Sequence, residues 1–312
     1  MSVRVLVTGG AGYLGSVLVG RLLSTDFQVR VVDSLVYDQL SLLPYSGAPG
    51  FEFVRGDVRD EELMRHVLTD VDAVVPLAGV VGAPACSANP WLADEVNHGA
   101  IVLLERLRST SQLLVYPNTN SGYGHTQDGC VSTEDTPLSP VSLYARTKCL
   151  AEEVVLQSGN AISLRMATIF GVSPRMRIDL LVNQFVFSAF TSRSIVVFDK
   201  DYRRNFLHVC DAADAFIYCL NHSPSLAGEV FNLGLDEANL TKGELALAVQ
   251  SQVPGCHVEF ADIGSDPDRR SYTVSSAKLR SSGYAASRSL ESGIAEMITG
   301  FAMWPRGVFQ NV

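Results

Sequence analysis

Three glycines spaced three apart, directly after a valine-rich segment, restrict what this chain can fold into more than any other feature. Residues 3–7 read Val-Arg-Val-Leu-Val, a strand pattern, and Thr8-Gly9-Gly10-Ala11-Gly12-Tyr13-Leu14-Gly15-Ser16 follows at once. Gly9 permits a tight turn out of the strand, Gly12 lets backbone approach a ligand without a Cβ in the way, and Gly15 lets the next helix pack closely on the sheet. A helix over 13–23 would then present unpaired N–H groups and a partial positive charge to a phosphate.

The same alternation continues downstream. Strand patterns fall at 29–32, 51–54, 73–76 and 113–116, with helical patterns over 61–68 and 91–107 between them. Strand–helix alternation of this kind predicts an α/β, Rossmann-type doubly wound parallel sheet. Asp33, at the end of the second strand, stands where a carboxylate accepts hydrogen bonds from both adenosine ribose hydroxyls and repels a 2′-phosphate. The reading is therefore a dinucleotide site, with Gly9, Gly12, Tyr13, Leu14, Gly15 and Asp33 as binding residues and NAD preferred over NADP. After about residue 165 the pattern loosens. Prolines interrupt it, and short strands at 195–198, 229–232 and 258–260 mix with helices at 179–190 and 242–251. Length permits one large or two modest domains. The division expected is 1–165 for the cofactor and catalytic helix, and 166–312 mainly for a smaller C-terminal substrate-binding lobe, with some segments returning to the sheet.

Bulk properties exclude other classes. The chain has 312 residues, 47% of them hydrophobic, and a formal net charge of -9, so a nucleic-acid partner is not expected. No apolar run approaches the roughly 20 residues of a membrane helix, and the opening Met-Ser-Val-Arg lacks a secretory pattern, so the expectation is a cytoplasmic protein away from membranes. Six cysteines without a CxxC pair read as free thiols, and no metal site is expected.

A second signal lies in Ser139-Pro140-Val141-Ser142-Leu143-Tyr144-Ala145-Arg146-Thr147-Lys148. Tyr144 and Lys148 are four apart and share a helix face. An ammonium beside a phenol favours the phenolate and would lower its pKa from near 10 toward neutrality, letting it take a proton from an alcohol. Alone, this spacing is common on surfaces. Downstream of the glycine turn it points to an oxidoreductase.

With both signals present, the chain resembles the extended short-chain dehydrogenase/reductase family, the NAD-dependent sugar-nucleotide epimerases and dehydratases. The resemblance implies roles for further residues. In Gly56-Asp57-Val58, Asp57 and Val58 would border the adenine. Leu77, Ala78 and Gly79 would lie along the cofactor, and Asn97 would help hold the active site. Counting back from Tyr123-Gly124, Thr119 falls on the catalytic Ser/Thr position, so Thr119, Tyr144 and Lys148 are the catalytic set. Arg204 and Arg270 (in Asp268-Arg269-Arg270) would reach the substrate diphosphate, for which guanidinium forks suit. A homodimer is implied, formed by helices 91–107 and 143–156 across a two-fold axis.

Departures from the family pattern narrow the reaction. The 4,6-dehydratases carry Asp-Glu after the catalytic Thr, where this chain has Asn120 and Ser121, which supply no useful acid or base. Gly122 replaces the usual Val and is expected to open space beside the sugar. Thr168 stands where many epimerases have Asn. Arg175 and Arg177 form a basic cluster expected to face the substrate, with Asn120, Ser121 and Thr168. The chain is most similar to a subgroup acting at C4 of nucleotide-activated heptoses. The expected function is a C4 epimerase of a nucleotide-diphosphate sugar. The alternatives are a dehydrogenase releasing the keto sugar and a non-catalytic NAD-binding regulatory protein.

Overall fold

The computed structural model describes residues 2–126, 129–261 and 270–303. Seven parallel strands form the central sheet: β1 (Arg4–Thr8), β2 (Gln28–Asp33), β3 (Phe51–Arg55), β4 (Ala73–Pro76), β5 (Leu113–Thr119), β6 (Ala161–Met166) and β7 (Val230–Leu233), in the order β7-β6-β5-β4-β1-β2-β3. The order reverses beside β1. The crevice at such a switch point, beyond the carboxyl ends of the strands, is where open α/β sheets bind ligands. Strands buried on both faces need continuous apolar sequence, and Val5, Leu6 and Val7 of β1 are wholly buried.

The helices follow from local chemistry. Helix α1 (Tyr13–Leu23) starts at Gly12 and buries Leu18, Val19 and Leu22 against the sheet. The Asp60 carboxylate caps α2 (Glu61–Val67) by accepting from the Glu62 and Leu63 N–H groups. The helix expected over 91–107 is interrupted: Pro90–Asp94 is α-helical, Glu95–Gly99 is a π turn, and α3 (Ala100–Leu107) resumes the α form. The π turn occurs at Asn97, which is 2% exposed, and such bulges are frequent at functional sites. Helix α4 (Leu143–Leu156) is capped by Ser142 Oγ, which accepts from Ala145 N at 3.1 Å.

β7 comes from beyond residue 166 and pairs with β6, so the second part of the chain completes the sheet. One cluster of buried apolar side chains contains residues from both parts, among them Val5, Val31, Phe206, Phe216 and Phe301. A smaller sheet joins Asn239–Thr241, Arg203–His208 and Thr168–Phe170. It sets Thr168 opposite Phe206, two residues from Arg204. The six cysteines are free. Among the described residues, no helix is long and apolar enough to cross a membrane, and no group of His, Cys, Asp or Glu could hold a metal ion.

Candidate active site

The glycine turn is built for close approach. Gly9 adopts φ +69°, and a Cβ there would lie 2.5 Å from Ala78 N. A Cβ on Gly15 would lie 2.3 Å from Gly9 O, so α1 packs this closely on the turn only because residue 15 is glycine. At Gly12 a Cβ would meet Gly9 O alone, at 3.1 Å, and its other side is open. Tyr13 and Leu14 bury their side chains while their N–H groups start α1, whose N-terminus has no side-chain cap. Asp33 sits beside this turn: Oδ2 accepts from Ala11 N at 2.9 Å, and Oδ1 accepts from Leu35 N (2.8 Å) and Gln39 Nε2 (3.3 Å). An open backbone cradle at a helix N-terminus with a fixed carboxylate at its edge fits a dinucleotide, with the pyrophosphate on the N–H groups and the ribose on Asp33.

The loop after β4 forms the next wall. Leu77 N donates to Thr8 O at 2.9 Å and Ala78 N to Thr8 Oγ1 at 3.3 Å. Gly79 passes against Asn97, whose Oδ1 a Cβ would approach to 3.0 Å. The Asn97 amide is fully engaged: Oδ1 accepts from Val80 N (2.8 Å), while Nδ2 donates to Val80 O (2.9 Å) and Thr147 Oγ1 (3.3 Å). Asn97 therefore ties this loop to α4 and acts here as a positioning residue. Val58 packs beside the apolar cluster that contains Leu6 and Val32. The Asp57 carboxylate turns onto Arg59 (2.6 Å), whose hydrogen bonds hold its pKa below the usual carboxylate value.

Tyr144 and Lys148 lie one turn apart on α4. Lys148 is 8% exposed, and its Nζ stands 4.2 Å from the centroid of the Tyr116 ring. Tyr116 OH donates to Lys148 O at 3.1 Å. The electrostatics correct the sequence-based expectation. Burial pushes the Tyr144 phenol up to about 12, against the opposing fields of Arg270 and Arg177. Burial also pushes Lys148 down to about 7, against the fields of Glu152 and Cys149. Desolvation penalises the charged form of both groups, so it raises an acid and lowers a base. Thr119 ends β5, where its Oγ1 donates to Ser121 Oγ (2.8 Å) and accepts from Ser121 N (3.1 Å).

The remaining predicted residues separate. Arg270 and Arg177 both act electrostatically on Tyr144, and Arg177 pairs with Asp179 at 2.5 Å. Arg204 is 3% exposed, with its guanidinium 5.8 Å from the Tyr272 ring, and Tyr272 in turn faces Tyr144 electrostatically. Thr168 is half-buried in its strand. Arg175 is placed elsewhere, over the ring of Tyr37 at 4.5 Å. Asp268 and Arg269 lie outside the described residues.

Two expectations are overturned. Asn120 does not face a substrate: it is wholly buried, and with its amide turned to satisfy its surroundings Nδ2 donates to Arg165 O (2.7 Å) and Oδ1 accepts from Ala167 N (3.3 Å). Gly122 opens no space beside a sugar, because a Cβ there would meet Cys149 Sγ at 2.9 Å and Leu138 Cδ2 at 3.2 Å. The missing side chain makes room for the protein's own core.

Sequence reasoning also missed the support beneath α4. Glu152, 2% exposed, holds Arg165 at 2.7 Å and accepts from Ser163 Oγ at 2.5 Å, locking α4 to β6. Glu152 lies four residues beyond Lys148, one further turn along the same helix face, and that spacing was the available signal. Tyr272 carried none, since only the fold brings it to Tyr144.

Comparison with known proteins agrees with this geometry. The description of the NAD-dependent epimerase/dehydratase family matches residues 5–234. Low-salt glycan biosynthesis protein Agl12 of Haloferax volcanii is 29% identical over 301 residues, spanning 93% of this chain and 96% of the relative. A dTDP-glucose 4,6-dehydratase of an Actinoplanes species is 29% identical over 315 residues, spanning 95% and 96%. The crystal structure of Thermus thermophilus UDP-glucose 4-epimerase in complex with NAD is 26% identical and superposes with a TM-score of 0.84, covering 96% of this chain and 99% of that one. With a dinucleotide cradle, a Tyr–Lys helix beside it and a family match over most of its length, the chain belongs to the NAD-dependent epimerase/dehydratase family.

Proposed function

We propose that the protein is an epimerase acting at C4 of a nucleotide-diphosphate sugar, with a nucleotide-activated heptose as the favoured substrate. The observation that carries the reading is the placement of Tyr144 and Lys148 one turn apart on α4, a helix tied through Thr147 and Asn97 to the wall of the cofactor cradle, with Arg177 and Arg270 acting electrostatically on Tyr144. NAD, held by the glycine turn and Asp33, would supply the hydride chemistry at C4.

The chain's own groups handle the proton. Tyr144 receives it from the C4 hydroxyl, assisted by the cations that favour phenolate, and Thr119 orients the reacting oxygen. Lys148, poised near neutrality by burial, exchanges protons at working pH. Arg204 and Arg270 hold the substrate diphosphate. Relatives named as dehydratases do not redirect this reading. Eliminating water needs an acid and a base beside the catalytic threonine, and Asn120 is buried in backbone hydrogen bonds while Ser121 Oγ accepts from Thr119. The enzyme is proposed to work as a homodimer through the face carrying Trp91, Val102 and Leu150, which are 67%, 42% and 45% exposed.

The test is incubation with UDP-, dTDP- and GDP-linked hexoses and heptoses, with products read by NMR and mass spectrometry. A C4 epimer without net NADH supports the proposal. A keto sugar with stoichiometric NADH identifies a dehydrogenase instead, and an unchanged panel despite bound NAD returns the non-catalytic reading.

A further inference from the structure

Lys148 is buried, yet among the described residues its amine makes no hydrogen bond or ion pair. The carboxylate one turn further along α4 is already taken: Arg165 holds Glu152 at 2.7 Å, and Ser163 Oγ donates to it at 2.5 Å. What meets the amine is the face of the Tyr116 ring, with Nζ 4.2 Å from the centroid.

Tyr116 is fixed in that place from two directions. β5 and β6 run parallel with Tyr116 opposite Ser163, and residues paired in this way project from the same face of a sheet. Helix α4 crosses that face, so successive turns set Lys148 on Tyr116 and Glu152 on Ser163. The ring is wholly buried in the apolar cluster that contains Leu114, Ala151 and Val155. Its hydroxyl donates to the Lys148 carbonyl at 3.1 Å. One side chain thus holds both the backbone and the amine of Lys148.

Desolvation penalises a buried ammonium, so some group must offset the cost. A carboxylate would do so, but it would add negative charge near Tyr144, one turn back on the same helix, and push the phenol further up. An aromatic face attracts the cation through the ring quadrupole and brings no net charge. It also leaves N–H donors of the ammonium open. The other titratable groups nearby are few. Glu152 and Cys149 act on the amine from α4 itself, β6 brings Arg165 against Glu152, and Cys86 of the short helix Ala83–Ala88 acts on Tyr144.

We propose that Tyr116 is a positioning residue for the reaction: its ring face holds the Lys148 amine in place one turn from Tyr144 and favours the ammonium without placing a negative charge beside the reacting phenol. Tyr116 acts through Lys148. The role in turnover rests on the epimerase reading above, whereas the ring contact does not.

The test begins with no sugar present. The chain's lysines are Lys148, Lys200, Lys242 and Lys278, so protein labelled with ¹³C at the lysine ε carbon gives few signals, and Lys148→Met identifies the one to follow by NMR from pH 5 to pH 9. Without the ring the ammonium gives up its proton more easily, so Tyr116→Leu should lower the Lys148 midpoint by about one to one and a half pH units. Tyr116→Phe keeps the ring and should match the parent. Phenylalanines bearing one, two and three ring fluorines at position 116 nearly keep the volume while weakening the quadrupole, and the midpoint should fall stepwise along that series. The series reports even if Tyr116→Leu folds poorly. On whichever nucleotide sugar turns over, the pH profile of single-turnover NADH formation should move with the midpoint and return in Tyr116→Phe. A midpoint that stays or rises along the fluorinated series overturns the ring contact, and a shifted midpoint with an unmoved profile overturns the positioning role. A panel in which no sugar turns over defeats the proposed function and not the ring contact, which the lysine titration decides alone.

Discussion

Lys148 is the residue whose replacement separates function from stability most sharply. Its amine is shifted from 10.5 to about 7 because burial penalises the ammonium. Below pH 7 the lysine is charged in both folded and unfolded chains, and the folded state bears the whole penalty. At 1.36 kcal/mol per unit this is about 5 kcal/mol. As pH rises from 7 toward 10.5, the folded chain has released its proton and the unfolded chain has not, so the penalty fades. At pH 9 about 2 kcal/mol remains by the same arithmetic. Lys148→Met keeps the volume and removes the charge. It also loses the contact over the Tyr116 ring, which returns about 1–2 kcal/mol. The variant should therefore be more stable than the parent by about 3 kcal/mol at pH 6, with the difference nearly abolished at pH 9. Turnover should fall by about 10²- to 10⁴-fold. Urea unfolding at the two pH values measures the first, and single-turnover NADH formation the second. A variant less stable than the parent at pH 6, or a stability difference that does not change with pH, refutes the reasoning.

Three further outcomes follow from the same geometry. Tyr144→Phe should lower turnover by about 10²- to 10⁴-fold while leaving NAD affinity, read by fluorescence titration, within a factor of two or so. Glu152→Gln leaves the Arg165 guanidinium buried without its carboxylate and should cost about 3–5 kcal/mol in urea unfolding. Gly122→Ala should cost about 1–3 kcal/mol by overpacking against Cys149 and Leu138 yet leave substrate affinity unchanged, whereas a cleft beside the sugar would show the reverse.

The parallel sheet was legible because its strands are short valine-rich runs at regular intervals with helical periods between them. The ends of β1, β2 and β4 in the structure lie within a residue or so of the pattern. β5 runs on to Thr119, since Pro117, Asn118 and Thr119 carry no apolar signal and are held by pairing with β6. The glycine turn, Asp33 and the Tyr–Lys pair were readable because each constraint acts within a few residues of sequence. What was not readable depends on contacts between distant segments. Asn97 turns inward through a π turn that no periodicity announces. Gly122 is small because Cys149 and Leu138 pack on it from other elements. Arg175 and Arg177 look equivalent as neighbours in a loop, but the hydrogen bonds of Tyr13, Ser173 and Asn183 send them to different places. The pKa of Tyr144 depends on how deeply the fold buries it, and a count of nearby charges in sequence missed that larger effect.

The central claim is that hydrogen leaves C4 of the sugar and returns to the same carbon without leaving the enzyme. A nucleotide sugar deuterated at C4, once the accepted substrate is known from the panel, tests it directly. The account predicts a slowed reaction whose C4 epimer keeps its deuterium at C4, with none in free NADH or solvent. Loss of the label from C4, or its appearance in released NADH, would contradict it.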